Sequence, residues 1–241
     1  QYWGRWRANT SARCQWGGTE RSRGGVTRRM VHVSQMRRKI EVLRGRLATV
    51  SKFRLKDKPR KKAAVLIPIC SVNGIPSILY NVRSKSLPTH GGEVSFPGGS
   101  REKGDKDEVH TALREAYEEM GLNRDRVEVI GQLEEVPSKH GLGVTPVVGV
   151  ISGDIDLTED PLINPSSKEI EVNFTVPIVD LFDDSHWKLD SFGRFGKFPR
   201  YVRAREPIWG MTAYLTKRIL AEIEEVEIGL RGKGFKPKSK L

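Results

Sequence analysis

Three glutamates crowd one short stretch, Ala112-Leu113-Arg114-Glu115-Ala116-Tyr117-Glu118-Glu119-Met120-Gly121-Leu122, with Glu115 and Glu119 four apart and Glu118 three from the first. At 3.6 residues per turn, a helix brings all three carboxylates to neighbouring positions on one face. Like charges at that spacing destabilise an isolated helix. Hard divalent cations such as Mg²⁺ or Mn²⁺ relieve the repulsion, because they prefer oxygen ligands and bridge naturally to substrate phosphates. The chemistry that suits such a cluster is binding of a divalent cation beside a phosphate-bearing substrate. A plain solvated face, balanced by Arg114 and nearby lysines, has the same local composition. The upstream pair Gly98-Gly99 separates the two readings: it allows a sharp turn beside the helix and a close approach of backbone to an anion or to the glutamates. Arg114 is expected to orient a carboxylate through paired hydrogen bonds. Ala112, Leu113, Ala116 and Met120 form the apolar side of the same helix.

These groups need a frame to hold them. Ala63-Ala64-Val65-Leu66-Ile67-Pro68-Ile69 reads as a buried strand, Asn73-Gly74 as a turn and Ile78 to Val82 as the hairpin partner. A short strand over Glu93 to Phe96 enters Pro97-Gly98-Gly99, and a helix is expected from Glu108 to Met120, closed by Gly121. Val127 to Val136, Val144 to Ile151 and Val172 to Val176 are further strands, followed by a turn over Ile178 to Phe182 and a hairpin between Asp184 and Arg205. A long amphipathic helix spans Trp209 to Ile228, and a short basic one runs from Ser34 to Leu47.

The net charge of +12 is unevenly distributed: residues 1–62 contribute +16 and the remaining 179 residues −4. The expected organisation is therefore a basic, largely disordered extension over 1–62, a catalytic body over 63–230, and a basic tail over 231–241. No zinc-finger, RRM or KH signature accompanies the basic arm, so nucleic acid is not the expected partner. Only Cys14 and Cys70 are present, which excludes a disulfide framework. No apolar run approaches the roughly 18 residues of a membrane span, so a soluble protein is expected. His90 and His140 stand alone in polar loops and read as surface residues.

From Gly98 to Leu122 the chain resembles the Nudix box: a glycine, a spaced acidic residue, then Arg-Glu-x-x-Glu-Glu-x-Gly and an aliphatic residue. The second half fits at every defined position. The first half departs, with Lys106 where the general pattern has Glu and Ser100 where it has Gly. In the coenzyme A diphosphatase branch the box follows Phe-Pro-Gly-Gly and carries one more loop residue with aspartates ahead of Ala-Leu-Arg-Glu. Phe96-Pro97-Gly98-Gly99, Asp105, Asp107 and Ala112-Leu113-Arg114-Glu115 resemble that form. Leu79, Arg83, Ser84, Gly92, Val94 and Phe96 resemble its upstream segment, although Pro88 replaces a further loop arginine. Weaker likeness continues in Val144-Thr145-Pro146-Val147-Val148-Gly149 and Trp209-Gly210-Met211-Thr212-Ala213, so the resemblance covers about residues 63–222.

The resemblance implies an α/β fold, an α/β/α sandwich whose mixed β-sheet lies between helices. It implies hydrolysis of coenzyme A or its acyl derivatives to adenosine 3′,5′-bisphosphate and (acyl-)4′-phosphopantetheine with Mg²⁺ or Mn²⁺. Glu115, Glu118 and Glu119 would be the metal ligands and, with Arg114, the catalytic set; Arg83, Ser84, Gly98 and Gly99 would meet the substrate. The general base stays open, with Glu134 or Glu169 as outside contributors. Other Nudix substrates (NADH, nucleotide sugars, capped RNA) or a non-enzymatic binding module are the alternatives, invited by Pro88 and the basic arm respectively. Ser239-Lys240-Leu241 reads as a signal for a peroxisomal import receptor. The arginines from Arg5 to Arg29, with Glu20 the single acid among them, suit a mitochondrial transit peptide as the second address. Met30 is an alternative start that would remove most of that stretch.

Overall fold

The computed structural model describes residues 25–50, 61–138, 141–156, 168–191 and 197–230. Cys14, His140, the run 51–60 and Ser239-Lys240-Leu241 lie outside the described residues. The chain divides into two compact units, Gln1–Arg38 and Lys39–Leu241. Of the first, residues 25–38 form the opening turns of helix α1 (Gly25–Thr49). That helix is longer than the expected 34–47, and residues 25–35, expected to fall in a largely disordered extension, are helical. No Pro or Gly interrupts Val26 to Arg44, so nothing in that stretch breaks a helix.

The second unit holds the sheet. β1 (Lys61–Val72) and β2 (Ile75–Arg83) form the expected hairpin. Asn73 and Gly74 both have positive φ, 51° and 76°, the backbone that a tight two-residue turn between twisted strands requires. β3 (Val94–Ser95) pairs with the end of β2, and β4 (Gly98–Ser100) with the start of β1. The strand expected over Val127 to Val136 is two pieces, β5 (Val127–Gln132) and β6 (Val136–Pro137), with a register shift between Val129 and Gly131. Both run antiparallel to β7 (Leu142–Asp154), which is itself parallel to β1 from Lys61↔Leu142 onward. β8 (Ile170–Pro177) pairs with β2. The sheet is therefore mixed, with β1 at its centre.

Side chains alternate across this sheet and divide the core in two. Ile67, Ile69, Ile78, Tyr80 and Val82 pack with Leu43 and Leu47 of α1 and with Ala213, Leu215 and Ile219 of the C-terminal helix. Ala64, Leu66, Leu79 and Val147 point the other way, against Ala112, Ala116 and Met120 of α2 (Glu108–Met120). The mixed sheet thus lies between helices as expected, and a body drawn from residue 63 leaves out two leucines of its own core. The turn after β8 is one turn of helix, α3 (Ile178–Leu181). The hairpin that follows, β9 (Trp187–Ser191) with β10 (Lys197–Tyr201), forms a separate two-stranded sheet, and the last helix, α4, covers Gly210–Leu230. Among the described residues no helix is long and apolar enough to cross a membrane.

Candidate active site

α2 is fixed at both ends. The Asp107 carboxylate accepts a hydrogen bond from His110 N (2.8 Å) at the N-terminus, and Gly121 at φ 69° donates back to Ala116 and Tyr117 carbonyls. Its apolar stripe sits on the sheet, so the turns bearing Glu115 and Glu119 lie over β4 and the end of β2. Leu79, Asn81 and Arg83 alternate on β2, and since Leu79 belongs to the α2 face, so do the other two. Glu119 is 5% exposed. Its Oε2 accepts hydrogen bonds from Gly98 N (3.1 Å) and Asn81 Nδ2 (3.3 Å), while Oε1 lies 3.5 Å from Arg83 Nη1. Burial pushes the Glu119 carboxyl up to about 7, with Glu115 and Glu169 adding to the rise and the Gly98 N–H and Arg83 opposing it.

Arg114 is the hub of the second half of the site. Its Nε and Nη2 each reach one oxygen of Asp105 at 3.1 Å, a two-pronged pair, and its Nη1 lies 3.0 Å from Glu115 Oε1 and 2.9 Å from Glu118 Oε2. Asp105 also accepts from Thr111 Oγ1 (2.9 Å) and Glu102 N (2.9 Å), and its Oδ1 lies 2.9 Å from His110 Nδ1. The departure at Lys106 thereby resolves. Asp105, nine residues before Arg114, stands where an acid eight residues before was expected, and the extra loop residue is what places it there. Arg114, the first of these partners, holds the Asp105 carboxyl well below the usual carboxylate range.

The two glycines act through contact rather than flexibility. A Cβ on Gly98 would sit 2.6 Å from Val65 Cα, inside the backbone of β1. A Cβ on Gly99 would lie 2.7 Å from Glu115 Cδ and nearer still to Oε1. Gly99→Ala is therefore expected to leave the fold cooperative and lower turnover, about a hundredfold if Glu115 is displaced by an ångström. Gly98→Ala should instead depress the melting temperature. Thermal melts alongside initial rates separate the two; equal rates for Gly99→Ala and the wild type would refute the close packing of Glu115.

The expected set is brought together only in part. Glu115, Glu118, Glu119, Arg114, Gly98, Gly99 and Arg83 converge. Ser84 does not join them: its hydroxyl bonds to Ser86 Oγ (2.8 Å), and its N–H donates to the Glu169 carbonyl (2.6 Å). Arg83 lies between Glu119 and Glu169, 3.6 Å from the latter, rather than facing outward alone. Glu169 thus belongs to the cluster, whereas Glu134 pairs with Arg218 on α4. His90 pairs with Glu93, as a surface residue does. Sequence reasoning passed over Asn81, whose signal was an amide inside the apolar run from Ile78 to Val82.

The charges do not balance. Glu102, Asp105, Glu115, Glu118, Glu119 and Glu169 surround two guanidinium groups, Arg83 and Arg114. Among the described residues no ready-made cage of three ligating side chains converges, because Arg114 bridges Glu115 and Glu118 and Arg83 stands against Glu119. An all-oxygen donor set in carboxylate excess fits a hard divalent cation.

The NUDIX domain profile matches residues 60–192. The mitochondrial coenzyme A diphosphatase NUDT8 of Homo sapiens is 37% identical over 177 residues, covering 71% of this chain and 73% of that one. Nudix hydrolase 3 of Caenorhabditis elegans is 43% identical over 178 residues, covering 65% and 71%. Among solved structures, the RenU Nudix hydrolase of M. Smegmatis shares 19% identity at a TM-score of 0.48, covering 71% and 88%.

Proposed function

The chain belongs to the NUDIX hydrolase family, and from that premise we propose that it cleaves the diphosphate of coenzyme A and its acyl derivatives, giving adenosine 3′,5′-bisphosphate and (acyl-)4′-phosphopantetheine. The observation that carries the hydrolytic site is the unbalanced carboxylate cluster around the buried Glu119. Glu115, Glu118 and Glu119 would hold the cation. A bound Mg²⁺ or Mn²⁺ supplies positive charge to the phosphoryl oxygens and makes water more acidic. The chain's own residues set the geometry. Asp105 anchors Arg114, and Arg114 in turn orients Glu115 and Glu118. Gly98 and Asn81 fix the plane of Glu119. Arg83, beside Glu119, would take a substrate phosphate oxygen. Accepting the proton from water requires a carboxylate open to solvent; the side chains of Glu118, 53% exposed, and Glu169, 57% exposed, meet that condition, and the buried Glu119 does not.

The substrate rests on Arg83-Ser84, on Phe96-Pro97-Gly98-Gly99, and on the human relative's activity. That relative's mitochondrial designation supports the arginine-rich N terminus as the address over the peroxisomal reading of Ser239-Lys240-Leu241. Comparing turnover of coenzyme A, an acyl-coenzyme A and NADH, with Mg²⁺, with Mn²⁺ and with chelator, tests the proposal. Coenzyme A or its ester should be consumed, releasing adenosine 3′,5′-bisphosphate, and chelator should stop the reaction. Efficient NADH hydrolysis with coenzyme A untouched would overturn the substrate.

A further inference from the structure

We propose that Asn81, hydrogen-bonded to both Ser95 and Glu119, is a positioning residue that aims the Glu119 carboxylate. Asn81 is completely buried near the end of β2, opposite Ser95 of β3 and Asn173 of β8 in the ladder. A buried carboxamide on an otherwise apolar strand is costly unless its atoms are paired. Here they are paired in one sense only. The Ser95 hydroxyl donates to Asn81 Oδ1, and Asn81 Nδ2 donates to Glu119 Oε2 at 3.3 Å. The opposite amide orientation would set an oxygen against the Glu119 carboxylate, whereas the Ser95 hydroxyl can accept from NH₂ as well as donate to the oxygen, so the carboxylate selects the orientation.

The consequence falls on Glu119. Two donors, Gly98 N and Asn81 Nδ2, both engage Oε2, and together they fix the carboxylate plane and leave Oε1 directed toward Arg83. Gly98 arrives from β4 and Asn81 from β2, so the carboxylate is referenced to two strands at once. Ser95 is itself held from the far face of the sheet, because the Thr212 hydroxyl of α4 donates to the Val94 carbonyl at 3.0 Å. This gives the Trp209-Gly210-Met211-Thr212-Ala213 stretch a place in the site without contact to it. Groups that orient a metal-binding carboxylate typically change affinity by about 10- to 100-fold when removed.

The inference rests on Glu119 as a metal ligand, and its test does not depend on the substrate. Mn²⁺ is titrated into the substrate-free protein and free ion followed by electron paramagnetic resonance, for wild type, Asn81→Leu and Ser95→Ala. Asn81→Leu is expected to weaken Mn²⁺ binding about tenfold or more, and Ser95→Ala to weaken it in the same direction by less. At saturating Mn²⁺ the KM for coenzyme A should stay within about twofold while kcat falls, since Asn81 reaches the site through Glu119. If Asn81→Leu fails to fold, Ser95→Ala decides alone, because it removes a single hydroxyl. Unchanged Mn²⁺ affinity in a folded variant, or a wild type that binds no Mn²⁺, overturns the proposal. A wild type that binds Mn²⁺ but leaves coenzyme A intact removes the substrate assignment and not the role of Asn81.

Discussion

Glu119→Gln is expected to abolish turnover, by about a thousandfold or more, and at the same time to stabilise the metal-free protein at pH 8. The first effect follows if Glu119 holds the cation, since a catalytic metal contributes several kcal/mol of transition-state stabilisation and each 1.4 kcal/mol is about tenfold. The second follows from the sign of its shift. Glu119 is raised from an ordinary 4.5 to about 7, mainly by burial. The folded state therefore holds that proton more tightly than the unfolded chain. Stability is fully present below about 4.5 and is lost as pH rises to about 7, a change on the order of 3 kcal/mol. Gln carries no charge and escapes that loss. Melting curves in chelator at pH 5.5 and pH 8 measure it: the wild type should melt lower at pH 8, the variant nearly equally at both, and Mn²⁺ should restore the wild type. A fully active Glu119→Gln would sink the ligand assignment.

Asp105→Asn is expected to act in the opposite sense on stability and in the same sense on rate. The Asp105 carboxylate is enclosed by Arg114, Thr111, His110 and the Glu102 N–H. Removing its charge takes from Arg114 its two-pronged partner and leaves Glu102, Glu115, Glu118 and the Ser100 carbonyl, and breaking such a pair costs about 3 kcal/mol. Because the Asp105 carboxyl is depressed in the fold, its stabilisation is present above the ordinary aspartate value near 3.8 and is lost below it. The variant should thus be less stable than the wild type at pH 7, with the gap closing as the buffer is brought toward pH 3. Turnover falls because Arg114 no longer orients Glu115 and Glu118. A gap of the same size at pH 7 and pH 3 would contradict the ion-pair account.

Local signals carried most of the architecture. The period-two and period-3.6 patterns located β1, β2, α2 and α4, and Asn73-Gly74 fixed the first hairpin. The glutamates were legible because a helix converts spacing into direction. What could not be read were relations set by loop geometry or by distant strands. Asp105 reaches Arg114 because the loop gains one residue, and counting along the chain registers that gain only as a mismatch at Lys106. Asn81 reaches Glu119 through the packing of α2 on β2, and Glu169 reaches Arg83 through the β2–β8 ladder, whose partners lie some ninety positions apart, as Asn81↔Asn173 illustrates. Ser84 was assigned to substrate from its motif, yet a hydroxyl in a tight loop finds the neighbouring Ser86 first. The N-terminal turns of α1 lack a clear apolar stripe, so periodicity marks only its later part, and packing is what shows that Leu43 and Leu47 belong to the core.

The central place of β1 bears on how the protein is made. On a ribosome, a chain elongated to residue 138 has delivered all of α2, both glycines, Asn81, Arg83 and Asp105. It has not delivered β7, the parallel partner that covers one side of β1 from Lys61 to Ile69, or β8, which covers β2. Until those strands arrive, β1 and β2 keep unpaired edges, and closing the β1–β7 loop is a slow, long-range step. Nascent chains stalled before residue 142 should therefore carry the whole glutamate helix and yet hydrolyse nothing, with competence appearing only as β7 and then β8 clear the exit tunnel.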